Sequence, residues 1–316
     1  MTEWYGWAMG SVAHLVVQPD DEVLVDRARA ELERLEEMWS RFRPNSDVSR
    51  LNRAHGEPVE VDPETVSLLE VAREAWTWTE GRFDPTVYDA VVAAGYDRSY
   101  ELISERPGTT RAVKAVPGLS GLSIRAADLT VALPDGVHLD LGGIGKGRAA
   151  DLIAALFETH SVSGGLVGMG GDVRVVGTPT DGGPWRVSVT SPFDRDERLC
   201  TLHLSSGAVA TSATTYRTWK QGDQEMHHLI DPRTCHPAHS GLVAATVIAA
   251  EAVWAEVAAK AAIVAGVEEG PAFIERAGLA GLFVAADGTL LATPSLLPHL
   301  EVEDGLTLTE TEEVFS

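Results

Sequence analysis

The sequence predicts an α+β (mixed α/β) fold, because short strand-like segments alternate irregularly with amphipathic helical segments along its 316 residues. A hydrophobic content of 44% supports a large core, either in one domain or in two intimately packed lobes. The chain shows no internal repeat and no low-complexity tract. We therefore assign residues 1–300 to one domain and residues 301–316 to an acidic C-terminal tail.

Two helices are predicted in the N-terminal part of the chain. Apolar residues recur at helical spacing from Leu24, and Pro44 ends this first pattern. The second helix is predicted from its ends, since Asp62 suits the N-cap, Pro63 suits the first turn and Gly81 suits the end. Both helices should bury one face.

The rest of the chain mixes predicted strands with two further helices. Short apolar runs bounded by turn residues predict strands at 12–17, 137–141, 166–177, 185–190, 199–204 and 243–249. Helical periodicity predicts helices at 149–159 and 253–265, and a final strand pair is expected after residue 284. Residues 98–130 combine Pro, Gly and charge and are predicted as a surface loop with short strands.

Charge and composition exclude several classes of function. A formal net charge of −22 argues against nucleic acid, whose phosphates would be repelled. The two cysteines, Cys200 and Cys235, are too few for a disulfide framework and favour a reducing compartment. The N-terminus lacks the features of a signal peptide, and the apolar run at 242–250 is too short to span a bilayer. We therefore expect a cytoplasmic protein with no membrane span.

The stretch HLDLGGIGKGRAAD, residues 138–151, carries four glycines and Lys146 at a predicted strand–turn–helix junction. It is not a Walker A loop, because Gly147 follows the lysine where Ser or Thr is required. The later segment GMGGDV is a poor dinucleotide fingerprint, because Val173 occupies the position of the third glycine. Glycine backbone at a helix start can still face an anion such as a phosphate. A tight turn that needs positive φ is an equally open interpretation.

Two further segments carry isolated charges. Asp84 lies before a proline in GRFDPTV, which suits a carboxylate presented to a ligand, although an Asx-type turn explains it equally simply. Glu256 and Lys260 lie four residues apart on one face of a helix built mainly of Ala and Val. In such an apolar helix the pair is expected to be buried and functional rather than a surface ion pair.

A cluster of possible soft-metal ligands follows residue 226. Its spacing matches no standard zinc pattern, and adjacent histidines on a strand point to opposite faces. We therefore assign no zinc site to these residues, which are His227, His228, Cys235, His236 and His239.

In order along the chain, the segments MGS, RFRPNSDVSRLNR, GRFDPTV, LDLGGIGKGRAAD, GMGGDVRVVG, ATSATTYR, HLIDPRT and WAEVAAKAAIVAG resemble the ApbE-type flavin transferases. The resemblance runs from Met9 to about Gly266. It implies the ApbE-like fold and FAD:protein FMN transferase activity, in which the FMN half of FAD is moved, with Mg²⁺, onto a Thr or Ser hydroxyl of an acceptor flavoprotein and AMP is released. The phosphate expected at the glycine segment is then the pyrophosphate of FAD.

The resemblance also assigns residues by position, and His228 occupies the histidine before the IDPRT segment. It is the candidate catalytic base, with a structural, hydrogen-bonding histidine as the open alternative. Lys146 could neutralise phosphate charge, as could Arg233 unless it pairs with Asp231. The carbonyl of Gly145 would be a metal ligand. The expected FAD contacts are Met9, Phe42, Arg82, Phe83, Asp84, Gly142, Arg148 and Ile230.

This chain departs from the family pattern at the metal. The family commonly holds the ion with an aspartate and with a threonine four residues later, and these positions hold Glu256 and Lys260 here. Glutamate can bind Mg²⁺, whereas a protonated lysine cannot. Cys235 also replaces the glycine usual after DPRT. These departures leave two other hypotheses open: an FAD-binding carrier or sensor without transfer, and an FAD pyrophosphate hydrolase that yields FMN and AMP.

Overall fold

The computed structural model describes residues 1–103, 113, 115–302 and 308–310. Within these residues the chain forms seven α-helices, which we number in chain order. They are α1 (Glu22–Trp39), α2 (Asp47–Leu51), α3 (Pro63–Trp78), α4 (Tyr88–Ala93), α5 (Gly145–Thr159), α6 (Ala252–Ala265) and α7 (Glu269–Arg276). Not one of these helices combines the length and the apolar character that a membrane crossing needs.

The strands of the described residues are likewise numbered in chain order. They are β1 (Thr2–Ala8), β2 (Ser11–Gln18), β3 (Val59–Glu60), β4 (Ser123–Arg125), β5 (Thr130–Ala132), β6 (Gly164–Met169), β7 (Asp172–Gly177), β8 (Trp185–Thr190), β9 (Arg198–Leu204), β10 (Gly207–Ala213), β11 (Thr218–Gln221), β12 (Gln224–His227), β13 (Ile230–Asp231), β14 (His236–Pro237), β15 (Leu242–Ala249), β16 (Ala280–Ala285), β17 (Leu290–Ala292), β18 (Leu300–Val302) and β19 (Thr309–Glu310).

The chain divides into two compact units, of which the first contains Met1–Leu32, Lys146–Tyr216 and the described residues from His239 onward. Its main sheet has the order β1-β2-β6-β7-β10-β15-β16-β17-β19. All neighbours in this sheet are antiparallel except β17 and β19. Helix α6 packs against β10 and β15, and α7 packs against α6 and β16. A buried apolar cluster joins the main sheet to a second sheet, β18-β9-β8.

The second unit contains Glu33–Gly145 and Arg217–Ala238. It includes α2, α3 and α4, a small sheet with the order β3-β5-β4, and the strand pairs β11–β12 and β13–β14. One of its apolar clusters packs α4 and Tyr96 against Trp219, Met226 and Ile230. With its helices and antiparallel sheets in both units, the structure confirms the predicted α+β class.

The helix that was expected from its end signals is present as α3. Asp62 caps α3, because its side chain accepts a hydrogen bond from the N–H of Glu64 at 2.9 Å. Gly81 ends the turn after this helix with φ +77° and donates its N–H to the carbonyl of Trp76 at 2.8 Å. These interactions are local in sequence, which is why the sequence predicts them.

Two strand predictions are wrong. The single strand expected at 166–177 is the hairpin β6–β7, in which Gly170 (φ +65°) and Gly171 (φ +102°) form the turn. Residues 137–141 form no strand. Their extended backbone is instead paired by a side chain, since Asn52 accepts the N–H of Leu139 at 2.7 Å and donates to its carbonyl at 2.9 Å.

The C-terminal residues are only partly a separate tail. Strand β18 pairs with β9, and β19 pairs with β17, so residues expected in the acidic tail belong to both sheets. Residues 303–307 and 311–316 of that prediction lie outside the described part of the chain, as do residues 104–112 and 114 of the predicted surface loop.

Candidate functional site

The glycine segment enters α5 without using the left-handed conformation. None of Gly142, Gly143, Gly145 and Gly147 has a positive φ, so the interpretation that they serve a positive-φ turn is wrong. The N–H of Gly142 is donated to Asp140 Oδ1 at 2.8 Å. Gly145 is the first residue of α5 and donates its N–H to the carbonyl of Leu141 at 2.8 Å.

Gly147 is a glycine because the first turn of α5 lies against the first turn of α6 there. A Cβ atom at this position would lie 2.6 Å from the carbonyl oxygen of Ala252 and 2.7 Å from Cα of Val253. Its N–H is donated to Glu256 Oε2 at 2.8 Å. The expectation that all four glycines face a ligand therefore fails at Gly147, which serves the contact between α5 and α6.

A buried cluster of four charged side chains lies beside this contact between α5 and α6. Lys146 Nζ donates to Glu256 Oε1 and lies 3.2 Å from Asp172 Oδ2. Lys260 Nζ lies 3.0 Å from the same Glu256 Oε1, one helical turn away on α6. Glu256 is only 1% exposed, while the side chains of Lys146 and Lys260 retain 15% and 17% exposure. The cluster thus joins two buried carboxylates to two lysine side chains that are partly exposed.

The pKa values in the cluster follow from burial and from these neighbours. Burial raises the pKa of Glu256, but Lys146 and Lys260 outweigh it and lower the value to about 2. Burial lowers the pKa of Lys260, an effect that Glu256 opposes. Burial raises the pKa of Asp172, which Lys146 opposes. Glu256 is therefore the permanent anion that holds the two ammonium groups together.

Asp172 is the member of this cluster that sequence analysis missed as a site residue. It follows the Gly170–Gly171 turn at the start of β7, and its Oδ1 accepts the N–H of Thr211 at 3.0 Å. The sequence draws attention to the glycines of GMGGD rather than to the aspartate. A carboxylate directly after a hairpin turn is the signal that could have indicated it.

Asp151 links α5 to the start of α6. Its Oδ1 accepts the N–H of Ala252 at 2.8 Å, and its Oδ2 accepts the N–H of Val253 at 2.9 Å. The residue at the N-cap position of α6, Glu251, makes no capping hydrogen bond with its side chain. Asp151 therefore caps α6 from another helix and also pairs with Arg174 at 3.3 Å.

Asp151 should give the protein a pH dependence of stability. Burial raises the pKa of Asp151 to about 6, although the backbone N–H groups and Arg174 favour its charged form. The folded protein therefore holds a proton that the unfolded chain releases near pH 4, and stability from this group falls as pH rises toward 6. Between pH 5 and pH 7, the free energy of unfolding should fall by about 1 kcal/mol relative to that of Asp151→Asn. Urea unfolding of both proteins at several pH values measures this; a pH-independent difference would contradict it.

In the second unit, the expected FAD contact Phe42 is partly exposed beside a buried arginine. The guanidinium of Arg41 lies 4.2 Å from the Phe42 ring centroid and 4.7 Å from that of Tyr96. Arg41 Nε also lies 3.0 Å from Asp140 Oδ2, the carboxylate that accepts the N–H of Gly142. Arg41 therefore contacts both the aromatic rings and the Asp140 carboxylate that holds the start of the glycine segment.

The segment GRFDPTV is held by its aspartate. Asp84 Oδ1 accepts the N–H of Thr86 at 2.8 Å and its hydroxyl at 2.6 Å, and Oδ2 accepts Trp76 Nε1–H at 3.0 Å. Burial raises the pKa of Asp84, which these hydrogen bonds oppose. Phe83 is buried as well, while Arg82 pairs with Glu80 at 2.9 Å. The geometry favours the Asx-type turn over a ligand-facing carboxylate.

We expect Asp84→Asn to reduce stability rather than ligand binding. An amide NH₂ cannot accept a hydrogen bond, so either Trp76 Nε1 or the Thr86 donors lose their partner, at a cost of about 1 to 2 kcal/mol. Thermal unfolding measures this, with the exposed Asp135→Asn as a matched control that should change by less than about 0.5 kcal/mol. A stable Asp84→Asn protein with strongly weakened FAD binding would restore the ligand-facing role.

The histidine-rich segment contains no metal cluster. Within the described residues no three His, Cys, Asp or Glu side chains are placed to hold an ion. His227 is buried, with Nε2 3.1 Å from the carbonyl oxygen of Ala238, whereas His228 is partly exposed. Arg233 donates to both carboxylate oxygens of Asp231, at 3.1 and 2.9 Å, which is the simple pairing that the sequence left open.

Cys235 has a backbone conformation that favours glycine. Its φ is +60°, in the left-handed region that favours glycine, and its side chain is buried in the apolar cluster of Tyr96 and Trp219. The family resemblance puts glycine at this position. A glycine would suit this backbone conformation, and the cysteine side chain here fills the core instead.

The predicted site residues fall into two sets, one in each unit. The first unit brings together Lys146, Glu256 and Lys260, and it also contains Arg148 in α5 and Met9, which has φ +51° in the β1–β2 turn. Met9 lies in the turn of this hairpin, because Ala8 at the end of β1 pairs with Ser11 at the start of β2. The second unit contains Phe42, Arg82, Phe83, Asp84, Gly142, Gly145, His228 and Ile230. Ile230 and Phe83 are core residues of that unit.

Two of the three proposed metal ligands, Glu256 and Lys260, do not form a set of oxygen donors; the third is the carbonyl of Gly145. Both oxygens of Glu256 accept hydrogen bonds within the cluster, and Lys260 offers only N–H donors. Mg²⁺ requires an octahedron of oxygen ligands at about 2.1 Å. The residues present at Glu256 and Lys260 therefore do not fit Mg²⁺.

The sequence matches the model of the ApbE family over residues 9–283. An FAD:protein FMN transferase of Rhodobacter capsulatus is 32% identical over 274 residues, which are 84% of this chain and 51% of that protein. An FAD:protein FMN transferase of Vibrio cholerae is 28% identical, over 85% of this chain and 83% of that protein. The chain thus spans about half the length of the first relative and most of the second.

Solved structures show the same fold. The crystal structure of an ApbE protein from Thermotoga maritima superposes with a TM-score of 0.84 at 27% identity, covering 94% of this chain and 98% of that one. The apo form of the flavinyl transferase ApbE from Pseudomonas stutzeri gives a TM-score of 0.79 at 25% identity, covering 93% of this chain and 95% of that one.

Proposed function

The chain belongs to the ApbE family, and from this premise we propose that it is an FAD:protein FMN transferase. Its substrates are FAD and an acceptor flavoprotein with a Thr or Ser target, and its products are the flavinylated protein and AMP. The observation that carries the proposal is the pair of ammonium groups of Lys146, in the first turn of α5, and Lys260, on α6, which meet at Glu256 Oε1. Two neighbouring lysine side chains suit the pyrophosphate of FAD.

The residues of this chain have distinct tasks in the proposed reaction. The acceptor hydroxyl oxygen attacks the phosphorus of the FMN half, the bond from that phosphorus to the bridging oxygen breaks, and AMP leaves with this oxygen. His228 takes the hydroxyl proton, since a histidine is a suitable base near neutral pH. Lys146 offsets the charge that develops on the phosphoryl oxygens.

The binding residues are proposed by position in the family. Met9, Phe42, Gly142 and Arg148 are partly exposed or lie in turns, which is compatible with direct contact with the dinucleotide. Phe83, Asp84 and Ile230 are buried, so we propose that they support the pocket through the segments that contain them. We also propose a reducing, cytoplasmic location, which is supported by Cys200 and Cys235, neither of which is in a disulfide.

Incubation of the full chain with FAD and with the acceptor flavoprotein of the Vibrio cholerae relative tests the function. Transfer gives a covalent fluorescent band on the acceptor and an equal amount of AMP. Free FMN with AMP would mean that water replaces the acceptor hydroxyl, and unchanged FAD would mean a carrier or sensor, the alternative that Lys260 favours. The matched variant His228→Gln should bind FAD and lose transfer.

A further inference from the structure

The charged cluster is complete without a metal ion. Glu256 Oε1 accepts from Lys146 and Lys260, Glu256 Oε2 accepts from Gly147, and the two oxygens of Asp172 are matched by Thr211 and Lys146. Each of the four carboxylate oxygens therefore has a donor from the protein. Two carboxylates and two ammonium groups also sum to zero charge, so the cluster needs no added cation to balance its own charges.

Lysine is rare in this sequence, in which most basic residues are arginines. The chain has 25 basic residues, of which four are lysines, at positions 114, 146, 220 and 260. Two of these four meet at one carboxylate oxygen. Lysine carries a compact point charge, whereas the planar guanidinium of arginine is much larger. Lys146 and Lys260 therefore put compact positive charge where relatives are expected to hold an ion.

We propose that the cluster of Lys146, Glu256, Lys260 and Asp172 takes the place of the divalent cation, so that FAD binds to its ammonium groups without Mg²⁺. This inference rests on the proposed function only in taking FAD as the ligand. Both lysine side chains are partly exposed, at 15% and 17%, and the group that they would bind is the pyrophosphate diester of FAD. Glu256 is a positioning residue that fixes both ammonium groups.

Metal binding is tested directly with Mn²⁺ as the probe. MnCl₂ is titrated into the full chain, with and without FAD, and free Mn²⁺ is followed by electron paramagnetic resonance. We expect no bound Mn²⁺ in either titration, and one ion per chain at micromolar concentration would overturn the proposal. The double variant Lys260→Thr with Glu256→Asp restores the ligands expected in relatives and should gain one Mn²⁺ in the presence of FAD. A folded double variant that gains none would also count against it.

FAD binding gives a second measurement on the unaltered protein. Flavin fluorescence should give the same FAD affinity, within about twofold, in EDTA and in millimolar Mg²⁺, whereas a large loss in EDTA would overturn the proposal. Lys260→Met should weaken FAD binding by about tenfold in both buffers, while the matched Lys220→Met, at an exposed position of β11, should leave it unchanged. Equal affinity in Lys260→Met would refute the role of this ammonium. FAD binding in EDTA with no FMN transfer would reject the proposed function and leave this inference standing.

Discussion

The Glu256→Gln variant is expected to be less stable than the unaltered protein by about 3 to 5 kcal/mol. Glutamine preserves the size of the side chain but removes the charge that lies against Lys146 and Lys260. The two ammonium groups would then share Asp172 as their remaining anion in the cluster, at a site where burial already lowers the pKa of Lys260. Urea unfolding at neutral pH measures the loss.

A second variant separates charge from packing at this position. Adding Lys260→Met to Glu256→Gln removes one charge of each sign and restores the balance between Lys146 and Asp172. We expect the double variant to recover about half of the lost free energy of unfolding, which a double-mutant cycle will quantify. Additive losses from the two substitutions would show that Glu256 and Lys260 do not stabilise each other.

The Gly147→Ala variant should lose about 3 kcal/mol of stability or fail to fold. The new Cβ would be placed less than 3 Å from backbone atoms of Ala252 and Val253, which cannot move away as a side chain can. Relief requires α5 and α6 to separate, and this would also strain the capping of α6 by Asp151. Thermal unfolding measures the effect.

Gly183→Ala is the matched control for this substitution. Its Cβ would meet a single atom, Asp181 Oδ1, at an ordinary 3.8 Å, so stability should change by less than about 0.5 kcal/mol. If Gly147→Ala were as stable as Gly183→Ala, the contact between α5 and α6 would be looser than the structure shows. The role of Gly147 in packing would then have to be abandoned.

The parts of the fold that follow local rules were predictable from the sequence. Asp62, Pro63 and Gly81 act within a few residues of themselves, and the Glu256–Lys260 pair follows from helical spacing alone. The segment 137–141 misled the prediction because its alternating buried leucines resemble a strand. Its hydrogen-bonding partner is the side chain of Asn52, 87 residues away, which no local pattern reveals.

The site was predictable only in part for the same reason. Lys146 meets Glu256 across 110 residues of sequence, and Asp172 joins them through the pairing of β7 with β10. Family resemblance aligned Lys146, Glu256 and Lys260 one by one but did not show that they share an oxygen atom. The pairing of strands in the main sheet brings these residues together, and it depends on contacts across the whole chain.

The order of the main sheet has a consequence for the protein while it is still on the ribosome. Strand β2 finds its second neighbour only in β6, where Gln18 pairs with Gly164, so the ribosome must add 146 residues after Gln18 before this pair can form. At cellular rates of synthesis this takes roughly 7 to 30 s, during which the N-terminal hairpin has one unpaired edge. Leu15, Val16 and Val17, all buried in the finished sheet, remain uncovered on that edge. Nascent chains are therefore most exposed to aggregation, and most in need of chaperones, before residue 164 emerges.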